Sequence, residues 1–67
     1  MGDEEVSAWI ITRFPHALAW QVDRGTDIIR ARLEGAPVAW MLGTLKPRDA
    51  DLLRGIVNTY FQEHGNE

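Results

Sequence analysis

Apolar residues recur at two different spacings along this chain, and the change of spacing divides it. From Pro47 onward, Ala50, Leu53, Ile56, Val57, Tyr60, Phe61 and His64 share one broad face when residues are placed 100° apart. Arg48, Asp51, Gly55, Asn58 and Gln62 fall on the opposite face. Pro47 suits the first helical position, where its missing N–H has no intrahelical partner anyway. Gly65 suits a left-handed cap at the other end. The pattern predicts a helix over 47–64.

Upstream the spacing is closer to two. In 28–33, Ile29, Ala31 and Leu33 alternate with Ile28, Arg30 and Arg32. In 38–42, Val38, Trp40 and Leu42 alternate with Ala39 and Met41. Between them, Glu34-Gly35 offers turn chemistry, and Pro37 suits a strand start because it cannot donate to a ladder. The pair predicts a β-hairpin. Leu18, Trp20 and Val22 alternate in the same way and predict a further strand, with Asp23-Arg24-Gly25-Thr26 as the turn after it. The same stretch also reads as a short helix opening near Pro15 and closing at Gly25. Residues 3–13 predict a helix, with Asp3 as cap, Glu4 and Glu5 at the positive end of the dipole, and Pro15 stopping it.

The expected fold class is therefore α+β. A three-stranded antiparallel meander would carry a long C-terminal helix on one face and follow a short N-terminal helix, in the order α-β-β-β-α. Leu18, Trp20, Val22, Ile29, Ala31, Leu33, Val38, Trp40 and Leu42 would form the buried sheet face. The other face would carry Ala17, Ala19, Gln21, Ile28, Arg30, Arg32, Ala39 and Met41. Half of that face is apolar, so it would be covered either by the N-terminal helix or by another molecule. Ile28, Arg30, Arg32, Ala39 and Met41 are accordingly the candidate partner-binding residues. Gly55 joins them because a mid-helix glycine on an outward face permits close approach of a partner backbone, although an ordinary suboptimal surface residue would look the same.

Length then restricts the picture. Sixty-seven residues make one domain. A chain of this size buries only about 60% of its unfolded surface, so small domains often lean on a disulfide, a metal or a partner. There is no Cys, and His16 and His64 are the only imidazoles, which argues against a zinc site and leaves association as the natural support. Hydrophobic residues at 45% argue against disorder, and no apolar run approaches a membrane span. No basic, apolar leader precedes Val6, and Val6 stands where a myristoylation motif needs Ser or Thr, so the expected location is cytoplasmic. The net charge of −3 disfavours nucleic acid as a partner.

Catalytic chemistry finds no footing in the pattern. Ser7 is the only serine and lies among acidic helix residues without a nearby His. Asp23 and Asp27 suit turns, Asp49 and Asp51 suit the start of the long helix, and His64 suits stabilisation of its end. The six glycines form no phosphate loop, and no cofactor is expected.

The run Val38-Ala39-Trp40-Met41-Leu42-Gly43-Thr44-Leu45, leading into a helix with Ala50, resembles the last strand and helix start of AP2-type DNA-binding domains. Integrase arm-binding domains are similar in layout. Such families lay a sheet on DNA, which here would engage Arg24, Arg30 and Arg32. The α-β-β-β-α order is also similar to double-stranded-RNA-binding domains, but Lys46-Pro47-Arg48-Asp49 departs from their lysine-rich helix start. The leading expectation is a non-enzymatic protein-binding module, acting on a partner surface or by self-association as a homodimer. Its size and composition fit an accessory or inhibitory protein of a phage or mobile element. DNA binding through the sheet is the alternative.

Overall fold

Two of the helices in this chain begin at residues that cannot cap them, Gly2 and Leu18. Each is served instead by the side chain three residues on. Glu5 Oε1 accepts the Gly2 N–H at 3.3 Å, and Gln21 Oε1 accepts the Leu18 N–H at 2.8 Å. This is the reciprocal half of a capping box, and it satisfies a donor that would otherwise be orphaned. The computed structural model describes residues 2–64 and places four helices there. These are α1 (Asp3–Arg13), α2 (Ala19–Leu33), α3 (Ala39–Gly43) and α4 (Pro47–Glu63).

The helices expected at the two ends are present. Pro47 is the first residue of α4, as its chemistry suggests. Asp3 is the first helical residue of α1 rather than its cap. Gly65 lies outside the described residues.

The sheet is a different matter. The described residues contain no strand, so the α+β expectation and its meander give way to an all-helical fold. Residues 19–33 form one continuous helix. Its buried positions, Gln21, Val22, Gly25, Thr26, Ile28 and Ile29, follow the 3.6-residue period. Gly35 does take positive φ, at 81°, but it ends a helix instead of turning a hairpin. Ala36 N–H reaches Ala31 O at 2.9 Å and Gly35 N–H reaches Arg32 O at 3.0 Å, which is a Schellman closure of α2.

With the period changed, faces change. Ile28, expected on the open face, is fully buried. Leu18, Trp20, Leu33 and Trp40, expected in the core, are between 39 and 67% exposed. Val22 and Ile29 are buried as expected, here because seven residues are nearly two helical turns and put both on one side of α2.

α1 and α4 both pack on α2, and α3 packs on α4. The core joins Val6 and Ile10 of α1, Val22, Ile28 and Ile29 of α2, and Leu53, Ile56, Val57, Tyr60 and Phe61 of α4. Half-buried Val38, Met41, Leu42 and Leu45 close it from the α3 side. Gly25 sits where the helices cross: a Cβ there would meet Ile10 Cδ1 at 3.2 Å and Ile56 Cγ2 and Leu53 Cδ2 at 3.7 Å. One polar link crosses the α1–α2 contact. Thr26 Oγ1 donates to Val22 O at 2.8 Å, leaving it to accept from the Ser7 hydroxyl at 2.8 Å. The only serine is thus a structural residue. The Cα radius of gyration, 10.9 Å, equals the roughly 11 Å expected for a compact chain of this length.

The far ends of α1 and α4 are clasped. Arg13 Nε donates to Glu63 Oε2 at 2.7 Å, and Trp9 Nε1 donates to Glu63 Oε1 at 3.2 Å. The Arg13 hydrogen bond holds the Glu63 carboxyl below its ordinary 4.5, with the Trp9 hydrogen bond pulling the same way. A carboxyl held low in the fold takes up a proton more readily in the unfolded chain. The clasp therefore stabilises above about pH 4.5, and that contribution is lost as the pH falls through the lower folded value. Glu63→Gln should flatten the acid limb of stability. Tm of the variant should change less between about pH 5 and pH 3 than that of the parent, as read by circular dichroism.

Candidate protein-docking surface

The residues singled out by alternation do not meet on one surface. Ile28 is in the core, and Met41 is half-buried against it. Ala39 is exposed at the start of α3. Gly55 faces open space on α4, with nothing within 4 Å of where a Cβ would stand. Gly55→Ala should therefore raise stability by about 1 kcal/mol through helix propensity alone, measured by urea denaturation.

Each of the three arginines has work inside the fold. Arg24 Nη1 donates to Met41 O at 3.3 Å, tying α2 to α3. Arg30 pairs with Asp3 of α1 and, at 3.4 Å, with Glu34. Arg32 places its guanidinium 4.4 Å from the Phe61 ring centroid. They project in different directions around α2 rather than along one face. Without a sheet among the described residues, the arrangement expected from the AP2-type resemblance is not formed, and Arg24, Arg30 and Arg32 make no common phosphate-binding row.

What does converge is apolar. Phe14, Pro15 and Ala17 of the α1–α2 connection face Leu52 and Ile56 of α4 across a cleft of about 300 Å³, with Gln21 of α2 between them. The connection takes this course because Pro15 ends α1 and Ala17 N–H turns back to Phe14 O at 3.0 Å. A second depression, of about 440 Å³, lies between α1 and α2 and includes Ile11, Ala17 and Ala19. Ala17 belongs to both. Leu18, the next residue, is 58% exposed; exposed Ile11 lines the second depression and exposed Leu52 lines the cleft. The result is an apolar surface running from α1 over the connection to α4. Arg13 and His16 lie at the first cleft, and no carboxylate lines it.

Alternation hid this surface by assigning Leu18 to the core. Leu52 was legible from helical spacing, since it follows Arg48 by four residues and precedes Gly55 by three, which puts it on the outward face of α4. Among the described residues, no group of three His, Cys, Asp or Glu side chains could hold a metal ion. Nor is any helix there long and apolar enough to cross a membrane. No known protein family matches the chain, and no match is found among curated proteins or solved structures.

Proposed function

We propose that this chain is a non-enzymatic protein-binding module whose docking surface is the cleft between the α1–α2 connection and α4. The observation that carries the reading is a formed cleft and an adjoining depression that share Ala17, with exposed Leu52 lining the one and exposed Ile11 the other. Exposed apolar surface of this kind is costly to keep unless something covers it. The occupant that fits is an amphipathic helix of a partner protein. One apolar side chain would enter between Phe14 and Leu52. A neighbouring carboxylate would face the Nη1 side of Arg13, whose Nε and Nη2 are taken by Glu63, at a lining that holds no acid.

The test is selection of helical peptides from a display library on the immobilised protein, followed by nuclear magnetic resonance mapping. Selected peptides should carry an apolar anchor flanked by Asp or Glu and shift residues 14–18 and 52–56. Leu52→Glu should weaken them at least about tenfold, near 1.4 kcal/mol, while Trp40→Glu leaves them unchanged. Peptides that map elsewhere, or that ignore Leu52→Glu, would remove the cleft from the reading. A particle of twice the 7.6 kDa chain mass that Leu52→Glu returns to monomer would make the occupant a second copy.

A further inference from the structure

A third hollow, of about 490 Å³, lies along α1 where it meets the end of α4. Its α1 side is the stripe Glu5, Ala8, Trp9 and Thr12, spaced i, i+3, i+4 and i+7. Its α4 side is Tyr60 and His64. The three rings are packed on one another. Trp9 stands edge-to-face with Tyr60 at 5.1 Å between centroids and with His64 at 5.7 Å, and His64 stacks on Tyr60 at 4.0 Å. His64 Nδ1 donates to Tyr60 O at 2.8 Å, which fixes that ring against the last turn of α4.

The charges at this hollow are lopsided. Glu5 is a carboxylate on its wall, and neither Lys nor Arg is among the residues that line it. The Glu5 oxygen used for capping is Oε1. The negative charge is felt across the hollow: the Tyr60 phenol is pushed up first by burial and then by Glu5. The neighbouring acid, Glu63, differs because Arg13 already neutralises it. Aromatic rings beside a carboxylate that has no ion-pair partner among the described residues suit a planar, weakly hydrated cation better than an ammonium, which holds its water more tightly. The chain makes the same kind of contact internally, with Arg32 over Phe61.

We infer that the hollow of Glu5, Ala8, Trp9, Tyr60 and His64 receives an arginine side chain of a protein partner, its guanidinium against the more open Trp9 and His64 rings and paired with Glu5. This rests on the protein-binding reading but uses residues that the cleft does not. Ala8 is the gap in the stripe that leaves room for the guest.

The probe is N-acetyl-arginine methylamide, titrated into the full chain at constant ionic strength. The signal is the Trp9 indole N–H resonance, with Trp20→Phe and Trp40→Phe introduced so that Trp9 is the only indole. Both replaced side chains are exposed, and circular dichroism checks that the helices persist. Saturable shifts at Trp9, Ala8 and Thr12 are expected. The lysine analogue should bind several-fold more weakly, and the neutral citrulline analogue should cause no saturable shift. Glu5→Gln keeps a capping side chain and should weaken binding about fivefold, and Ala8→Leu should abolish it. Citrulline matching arginine, or insensitivity to both substitutions, would overturn the inference, as would failure to saturate by about 50 mM, beyond the millimolar range of weak sites. Leu52→Glu should leave this titration unchanged, so the hollow and the cleft fail or survive separately.

Discussion

Gly25→Leu should cost at least about 3 kcal/mol and leave the chain largely unfolded near body temperature. A domain of this size has only roughly 3–10 kcal/mol of total stability, at about 0.05–0.15 kcal/mol per residue. Gly25 is buried mid-way along α2, where even a Cβ would approach Ile10 Cδ1 to 3.2 Å. Three further carbons have no space, because Leu53 and Ile56 close the other side. Overpacking of a closed contact commonly costs about 1–3 kcal/mol, and here it would also separate α1 from α4. Gly25→Ala is the informative control. Its one added carbon meets the tip of a flexible side chain, and its gain in helix propensity of about 1 kcal/mol offsets that contact. The two variants should differ by several kcal/mol in urea denaturation followed by circular dichroism. A glycine serving only as a turn would tolerate both alike.

Ile28→Ala and Trp40→Ala should differ in the opposite sense to the one alternation suggests. Ile28 is fully buried among Val6, Ile10 and the α4 residues of the core cluster, so truncation should cost about 2–5 kcal/mol. Trp40 is 67% exposed on a five-residue helix. Its truncation removes more atoms and should still cost less than about 1 kcal/mol, because few of them are withdrawn from water. The measurement is again the urea midpoint of each variant. A costly Trp40→Ala with a neutral Ile28→Ala would restore the sheet.

The end helices were readable because their signals agree with one another. In 47–63, proline, periodicity and charge all favour the same element, and in 3–13 acidic residues and Pro15 do the same. The centre carries two competing periods. Leu18, Trp20 and Val22 alternate, yet Val22, Thr26 and Ile29 keep the helical spacing, and local pattern does not rank them. The deciding contacts come from elsewhere in the chain. Ile10 and Ile56 reach Gly25 only if α2 is a helix, and Ser7 reaches Thr26 only on that face. Gly35 shows the same limit at a turn, since positive φ closes a helix as readily as it turns a hairpin. The candidate surface was less legible than the fold. Residues of one face in a sheet are scattered around a helix, so Ile28, Arg30, Arg32, Ala39 and Met41 dispersed once the period changed. Gly55 kept its outward place because the α4 pattern was read correctly.

Gln21 holds the N–H of Leu18, and it also lies in the cleft between Phe14 and Ile56. Fraying of the first turn of α2 and the proposed occupation of the cleft would therefore be coupled equilibria. When that amide swings away to release Leu18, the cleft loses one of its sides; when a guest packs against it, the turn can no longer open. A guest that needs the turn closed would lose affinity in proportion to the frayed fraction. A substitution that loosens the turn would weaken a partner that never touches the altered residue.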